Sequence, residues 1–261
     1  MKRLRKTAAN FNAAFTDQLA GMLSESNRIV FLTGAGMSTK SGIPDFRSSS
    51  GLYRTGVSAN IFDIKAFRDN PADFYAFARN FLAMLNNARP NAAHSAIAQL
   101  GSRPDKNVSV VTQNIDTLHQ RSGSTEVFPV HGTVETSSCI ACGKKVKTET
   151  LYPLIEAGKV PRHENCGGVF KPDIIFFGEL LPTDVFACAQ KAITEADLLV
   201  VAGTSLHVYP AADLPNHRRS DCRLVIINHT PTPLDHESDI LFHCGVEEVL
   251  ALAVEKAFQS T

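Results

Sequence analysis

The sequence lacks the features that mark several large classes of protein. Its 26 Lys and Arg residues balance 26 Asp and Glu residues, so no global field draws the chain to nucleic acid or to an anionic membrane. No apolar run is long enough for a signal peptide or a membrane span, and there is no internal repeat or low-complexity tract. We therefore expect no membrane partner and find no strong nucleic-acid signal.

Acidic residues are missing from the start of the chain, where residues 1–6 are basic and the first acid is Asp17. Such a start resembles an organelle transit segment. We favour the simpler interpretation, a frayed lead-in to the first helix.

Cysteine is too sparse for a secreted disulfide framework, since six are spread over 261 residues. Cys139, Cys142 and Cys166 cluster at metal-like spacing, while the other three stand in apolar sequence and are most simply small buried hydrophobes. This usage indicates a reducing, cytoplasmic setting.

Alternating strands and helices predict an α/β fold with a doubly wound, Rossmann-like parallel sheet. Short apolar runs bounded by turn residues are typical of buried parallel strands, and apolar residues at helical spacing separate them. The predicted strands are residues 28–33, 108–112, 126–130, 173–177, 197–202 and 223–228, and the first helices are 15–26, 70–87 and 91–100.

A glycine-rich loop, Gly34-Ala-Gly36, follows the first predicted strand directly. In this setting bare glycine backbone lets amide N–H groups approach a pyrophosphate. The generic dinucleotide pattern G-x-G-x-x-G is not met, because its third position is Thr39, and no acidic residue for a ribose follows about twenty residues later. By themselves the two glycines fit either a phosphate loop or a structural tight turn.

Polar residues crowd the end of the second predicted strand, at Gln113, Asn114 and Asp116. Ligands of open parallel sheets bind at that edge, although turn and helix-cap roles explain such residues equally well. His131-Gly132 follows the short third strand. An imidazole can accept a proton at neutral pH, but a single histidine is more often structural.

Two long motifs resemble those of the sirtuin family. Residues 34–47 read GAGMSTKSGIPDFR and meet every fixed position of the family pattern GAGxSxxSGIPDFR, and residues 112–119 read TQNIDTLH, which matches TQNIDxLH. The His-Gly pair, residues 203–210 (GTSLHVYP) and Asn228 match further family segments in order. The resemblance implies an NAD-dependent protein-lysine deacetylase that releases nicotinamide, deacylated lysine and O-acetyl-ADP-ribose.

The resemblance also implies roles for individual residues. His131 would be the catalytic base that activates a ribose hydroxyl, with Asn114 and Asp116 ordering the nicotinamide end, and His119 would be structural. Arg47 would pair with phosphate. The implied NAD-binding residues are Gly34, Ala35, Gly36, Ser38, Thr39, Asp45, Phe46, Arg47, Gln113, Asn114, Ile115, Asp116, Gly203, Thr204, Ser205, Asn228 and Val246.

The partner implied by the resemblance is an acylated lysine side chain of a protein, bound as an added strand. Two segments would clamp it, and their substrate-binding residues are Phe177, Gly178, Glu179, Leu206 and Val208. Sirtuins that prefer negatively charged acyl groups carry a Tyr-x-x-Arg pair. Here Tyr75 is followed three residues later by Ala78, and Arg79 lies about 100° further round the helix, which predicts a preference for uncharged acyl groups.

A metal site is predicted from cysteine spacing, because Cys139-x-x-Cys142 can supply two thiolates to one tetrahedral zinc. The second half-site reads His163-x-x-Cys166, so we predict a single Cys3His site with a structural Zn²⁺, as the resemblance implies. Two alternatives are that His163 is an ordinary surface residue and that Glu164 is the fourth ligand. The nearby lysines lack interleaved aromatics, which favours a solvated face over a nucleic-acid surface.

Residues 133–171 have little hydrophobic periodicity, so they cannot build their own apolar core and need a metal staple. We predict an NAD-binding Rossmann-like domain of residues 1–46, 92–132 and 178–261. A smaller domain would combine residues 47–91, the cofactor loop and helical module, with residues 133–177, the zinc ribbon.

Two other functions remain open at this point. One is an NAD-dependent mono-ADP-ribosyltransferase that uses the same cofactor. The other is a non-catalytic NAD-sensing or zinc-ribbon binding module.

Overall fold

The computed structural model describes residues 6–8, 13–46 and 51–259. Its strands are β1 Lys6–Ala8, β2 Arg28–Thr33, β3 Asn107–Thr112, β4 Glu126–Pro129, β5 Gly132–Cys139, β6 Lys145–Lys147, β7 Phe170–Ile174, β8 Leu198–Ala202, β9 Arg223–Ile227 and β10 Ile240–Phe242. Its α-helices are α1 Ala13–Glu25, α2 Ile64–Asp69, α3 Pro71–Asn87, α4 Ala92–Gly101, α5 Leu118–Arg121, α6 Tyr152–Glu156, α7 Thr183–Glu195 and α8 Val246–Gln259. Within these ranges no helix has the length and apolar character that crossing a bilayer requires.

The larger sheet has seven strands in the order β1-β10-β9-β8-β2-β3-β4. All of its pairs are parallel. Parallel strands need crossover connections, and here the helices supply them. The order reverses at β2, because the chain first runs outward through β3 and β4 and then returns to β8 on the other side. Such a switch point opens a crevice at the carboxyl edge.

Both faces of this sheet are covered, which explains why the inner positions of its central strands β2, β8 and β9 are apolar. Side chains alternate between faces with a period of two. Ile29 and Phe31 point to a core shared with α1, α4 and α8. Val30 and Leu32 point to a second core shared with α7 and the short 3₁₀ helix Ala211–His217. The predicted doubly wound parallel sheet is thus confirmed.

A second, antiparallel sheet has the order β6-β5-β7. Its apolar residues form one core with α2, α3 and α6, in which Phe62 lies at the centre of a ring cluster. The apolar residues of this segment, which was predicted to be a zinc ribbon, therefore share one core with the helical module. Phe62 has five aromatic neighbours with ring centroids 5.6–6.3 Å away: Phe46, Phe74, Phe77, Phe81 and Phe176.

Two expectations about strands were wrong. Residues 173–177 are not a parallel strand, since β7 is antiparallel, ends at Ile174 and belongs to the small sheet. The chain at Lys6–Ala8 is not a frayed lead-in, because it pairs with β10. Neither β1 nor β10 was predicted. Each has three residues, too few for periodicity to be recognised, and the two pair with each other from opposite ends of the chain.

Replacement of Phe62 by alanine should lower the free energy of unfolding by about 3–5 kcal/mol, because it opens a cavity among five rings. Denaturant unfolding followed by circular dichroism would measure this. Leu154→Ala is the control, since Leu154 is 40 % exposed and its loss should cost less than about 1 kcal/mol. Equal losses for the two variants would contradict the shared core.

Candidate functional site

The carboxyl ends of β8, β2 and β3 lie side by side in the large sheet. The loop after each of these strands carries one of the sequence motifs, so the parallel sheet brings residues 34–42, 113–119 and 203–206 to one edge. His131 joins them, because Val130 is fully buried after β4 and donates its N–H to the Thr112 carbonyl. We call this group of residues the edge site.

Two of the loops interlock through bare backbone. A Cβ on Gly34 would lie 2.7 Å from the Cβ of Thr204, and one on Gly36 would lie 2.8 Å from the Cα of Gly203. Gly203 itself has φ of +65°, a conformation that glycine adopts without strain. The Gly36 N–H donates to the Gly203 carbonyl at 2.8 Å. Alanine at any of these positions would force the loops apart.

The expected approach of the glycine N–H groups to a pyrophosphate is not what the two glycines provide. The N–H groups of Gly34 and Gly36 donate to the carbonyls of Ala202 and Gly203, so they are not free to hold a phosphate. The Ala35 N–H has no such partner within the residues that the structure describes, and it is available for an anion. The glycines therefore serve loop packing first, and the residue between them presents the donor.

A chain of buried hydroxyls links the strand ends beneath the site. Thr33 donates to Thr112 at 2.9 Å, and the Nε2 atom of His119 lies 3.0 Å from the same Thr33 hydroxyl. The Thr112 hydroxyl also accepts the Asn114 N–H. Burial lowers the pKa of His119 to about 3, so the ring is neutral at physiological pH. Its interior position agrees with the structural role expected for it.

Ser38 connects the two motifs. Its hydroxyl donates to the Asp116 carboxylate at 2.6 Å and accepts from the Asn114 side chain at 3.1 Å. Asn114 also donates to the Gly34 carbonyl. Ser38 and Asp116 are buried, and burial raises the pKa of Asp116 although hydrogen bonds from Ser38 and Leu118 oppose the rise. The result is a fixed acceptor at the bottom of the edge site.

The backbone at Asp116 is also constrained. Thr117 has φ of +58°, which costs a residue with a side chain about 1 kcal/mol. The Leu118 N–H donates to the second oxygen of Asp116 and holds this turn. A positive φ at a residue other than glycine leaves no mark in the sequence.

The His131 ring is oriented by the loop beside it. Its Nδ1 atom lies 3.1 Å from the Gln113 carbonyl, so the proton of the neutral ring resides on Nδ1. Nε2 makes no hydrogen bond to the described part of the chain and is the basic atom. Burial lowers the pKa of His131 from its ordinary value, with a smaller opposing effect from the Gln113 carbonyl, and so favours the neutral ring.

The other expected NAD-binding residues differ in where the structure places them. Gln113 and Thr204 join two loops through a 3.2 Å hydrogen bond, and Asn228 is held at the end of β9 by Thr230. Val246 is 2 % exposed and packs in the core, so its side chain is not presented at the edge. Thr39, Asp45, Phe46, Ile115 and Ser205 are partly or wholly exposed on these loops. Arg47 lies outside the described residues.

The two expected substrate segments differ in exposure. In the first segment, Phe177 is 51 % exposed and the adjoining Leu180 is 90 % exposed. In the second segment, Tyr209 is also largely exposed. Gly178 has φ of +88°. Glu179 is turned back onto its own loop, where it accepts the Phe176 N–H at 2.8 Å. Leu206 is buried and Val208 is half-buried.

The four predicted metal ligands come together, and Glu164 is not among them. Their ligand atoms all lie within 4.8 Å of one another. His163 Nδ1 is 3.2 Å from each of the sulfurs of Cys142 and Cys166, and Cys139 Sγ is 3.6 Å from Cys166 Sγ. Zn–S bonds of about 2.3 Å at tetrahedral angles place ligand atoms ~3.7 Å apart, so the set fits zinc.

The surrounding backbone also fits a metal. A Cβ on Gly168 would lie 2.5 Å from the sulfur of Cys139, and Gly167 has φ of +68°. The chain therefore needs both glycines to turn tightly around the ligand atoms. The predicted Cys3His ligation is confirmed.

Comparison with known proteins gives the same assignment. The family model described as the Sir2 family matches residues 34–210. The NAD-dependent protein deacetylase of Thermotoga maritima is 42 % identical over 238 residues, which cover 90 % of this chain and 95 % of that protein. The chain belongs to the Sir2 family.

Solved Sir2 structures share the fold as well. A Sir2 variant with a deacetylated p53 peptide and 3'-O-acetyl ADP ribose is similar with a TM-score of 0.86 at 41 % identity, over 91 % of this chain and 96 % of that one. A complex of Sir2 with a p53 peptide and NAD⁺ gives a TM-score of 0.83 at 41 % identity, over 90 % and 95 %. The sirtuin resemblance of the sequence is confirmed.

The sequence did not reveal several residues that shape this Sir2 site. Thr33 was assigned only to a strand, yet its hydroxyl connects His119 to Thr112. A polar residue at the last position of an otherwise apolar strand was the available signal. Lys171 and its contacts to the loop of Phe177 carried no signal at all, because they depend on how β7 is placed.

The metal assignment predicts which of three variants retain zinc. His163→Cys should retain about one zinc ion per chain, because a thiolate replaces the imidazole in a tetrahedral set. His163→Ala should lose zinc to a chelator at concentrations that leave the wild type loaded. Glu164→Ala is the matched control and should keep its metal. Zinc loss from the Glu164 variant, measured by atomic emission, would show that the ligand set is wrong.

Proposed function

We propose that this Sir2 protein is an NAD-dependent lysine deacylase, with His131 as catalytic base and an acylated lysine of a protein as substrate. The observation that carries the proposal is the meeting of Ser38, Asn114, Asp116 and His131 at one edge of the sheet, beside the available Ala35 N–H. Products would be nicotinamide, deacylated lysine and O-acetyl-ADP-ribose. The deacetylase activity of the T. maritima relative supports it.

The residues at the edge suit NAD. When bound, NAD supplies the ribose carbon that receives the acyl oxygen, with nicotinamide as the leaving group. The Ala35 N–H offers a donor to the pyrophosphate where the two loops interlock. The Asp116 carboxylate and the Asn114 amide are fixed by Ser38, so they offer a rigid polar pair to an amide group such as that of nicotinamide.

His131 is suited to take up a proton. Its Nδ1–H is engaged by the Gln113 carbonyl, which orients the ring and leaves Nε2 as acceptor. Burial keeps the ring neutral by lowering its pKa. A neutral, oriented imidazole beside a ribose hydroxyl can act as general base.

We infer that the substrate peptide is added as a strand between the segments at Phe177–Glu179 and Leu206–Val208. The first segment follows Ile175, whose N–H donates to the His131 carbonyl, and the second follows Thr204 of the interlocked loops. Both therefore begin at the edge site. The exposed apolar side chains of Phe177, Leu180 and Tyr209 are surfaces that a peptide would cover.

An uncharged acyl group is favoured by the environment of α3. The Tyr75 hydroxyl is buried and donates to the Phe170 carbonyl at 2.5 Å, so it is not free to bind a carboxylate. Ala78 is fully buried, and Arg79, the one basic residue of α3, is exposed. A carboxylate on the acyl chain would be buried without a charge partner, which is costly.

Two further expectations stay proposals. The division into a Rossmann-like domain and a smaller domain at residues 47–91 and 133–177 is supported by the separate cores of the two sheets. A cytoplasmic location is supported by the six cysteines, none of which forms a disulfide and three of which belong to the metal site.

His131→Ala should lower peptide deacylation by a factor of about 10²–10⁴, the usual contribution of a general base. NAD binding should persist. His236→Ala is the matched control, because the side chain of this histidine is exposed and pairs with Glu237. Since burial lowers the pKa of His131 from its ordinary value, the acid limb of wild-type activity should lie below the pH range in which an ordinary histidine titrates, which is centred at about 6.5. Chromatography of nicotinamide and of the peptide products measures both the activity of each variant and the pH dependence of the wild type. An acid limb centred above the ordinary pKa of a histidine side chain, about 6.5, would contradict the assignment.

The acyl preference can be tested with one peptide carrying acetyl or succinyl on the same lysine. We expect kcat/KM for the acetyl form to be at least about tenfold higher, because an unpaired buried carboxylate costs more than ~1.4 kcal/mol. Mass spectrometry of the peptide would also detect ADP-ribose transferred to it. Faster removal of succinyl would refute the preference, and ADP-ribosylated peptide as the main product would favour the transferase alternative.

A further inference from the structure

Lys171 is a cation in the interior of the small domain. Its side chain is 11 % exposed, whereas most lysines extend into water. It lies on β7, next to Phe170, which pairs with the zinc ligand Cys139. Burial of an ammonium is costly in free energy unless all of its protons are donated in hydrogen bonds. The groups that accept these protons are therefore the ones that Lys171 fixes in place.

The ammonium has three protons and three acceptors. Nζ lies 3.0 Å from the Pro172 carbonyl, 2.8 Å from the Ile174 carbonyl and 3.0 Å from Oε2 of Glu179. It also stands 4.5 Å from the centre of the Phe176 ring, within range of a cation–π interaction. The cation is fully satisfied, and its four partners span one continuous segment.

That segment closes on itself at Glu179. The oxygen that pairs with Lys171 also accepts the Phe176 N–H at 2.8 Å, and the Glu179 N–H donates to the Phe176 carbonyl at 3.0 Å. Phe177 stands at the tip of this turn and is held from the other side, by reciprocal backbone hydrogen bonds with Phe62 and Ile64. We call residues 176–180 the tip segment.

The same anchor reaches the catalytic base. Between two of the residues that Lys171 holds, the Ile175 N–H donates to the His131 carbonyl at 2.9 Å. Gly132 packs so closely on Asp173 that a Cβ would collide with its carbonyl. Lys171 therefore lies at the point where β7, the tip segment and the chain at His131 meet.

We propose that Lys171 is a positioning residue for the acyl-peptide substrate: its ammonium, through Glu179 and two carbonyls, fixes the tip segment in the conformation that receives the peptide. This inference rests on the proposed function, in which the tip segment forms one side of the peptide site. A segment ordered before binding does not lose conformational entropy when the peptide arrives. Without the ammonium, the Glu179 carboxylate would turn to water and release the tip.

The experiment compares Lys171→Met, which keeps the stem but removes the charge, with Lys171→Arg, which restores charge and donors. Lys147→Met is the matched control, because Lys147 lies on β6, the opposite edge strand of the same sheet, and its side chain is 74 % exposed. We expect Lys171→Met to raise the KM for an acetylated peptide about tenfold, as for loss of a charge-assisted hydrogen bond. The KM for NAD should change less than about twofold, and Lys171→Arg should recover most of the loss.

A second measurement does not depend on activity. Amide hydrogen exchange at Phe176 and Glu179 should be faster in Lys171→Met than in the wild type, with zinc content unchanged. Glu179→Gln, which keeps the acceptor for the Phe176 N–H, should give the same direction of change and replaces Lys171→Met if that variant does not fold.

Three results would overturn the inference: an unchanged peptide KM, equal rises in the KM values for peptide and NAD, or unchanged exchange at the tip segment. Failure of the proposed function is recognised separately, because the wild-type protein would then not deacylate the peptide. Faster exchange in the variant would in that case still establish Lys171 as the anchor of the segment.

Discussion

Two loops touch backbone to backbone at the carboxyl edge of the large sheet, and the edge site is built around this contact. Gly34 and Gly36 on one loop and Gly203 on the other lack the side chains that would separate them. The loop after β2 is thereby pressed toward β8, and its Ala35 N–H is left available while the neighbouring amides are used internally. From this fixed loop, Ser38 reaches across to Asn114 and Asp116. A side chain at the contact would displace all three.

Burial then determines the chemistry of the site. Asp116 has little contact with water, and hydrogen bonds from Ser38 and Leu118 oppose the rise in its pKa that burial causes. His131 is kept neutral by the same effect acting on a base. Because its Nδ1 is engaged by Gln113, the free nitrogen has one orientation. Hydroxyls of Thr33 and Thr112 complete the buried network, so few polar groups compete for a ligand.

The small sheet contributes through packing and not through chemistry at the edge. Zinc ligation ties the ends of a segment that buries its apolar side chains against α2, α3 and α6. β7 leaves this core and leads directly to Phe177, while Gly132 and Ile175 connect it to His131. The zinc site therefore takes no direct part in the proton transfer proposed for His131, yet β7, which pairs with the ligand Cys139, carries one side of the proposed peptide site.

Much of the fold and of the edge site could be predicted from the sequence, because patterns of neighbouring residues indicate it. Apolar runs identified β2, β3, β8 and β9, the Gly-Ala-Gly and Gln-Asn-Ile-Asp segments located the edge, and the spacing of Cys139, Cys142, His163 and Cys166 gave the ligands. Pairing over long separations decided the rest: the three-residue strands β1 and β10, the antiparallel place of residues 170–174, and the partners of Lys171. Local patterns are set by neighbouring residues, whereas these features depend on which distant backbone donors and acceptors meet after the chain has packed.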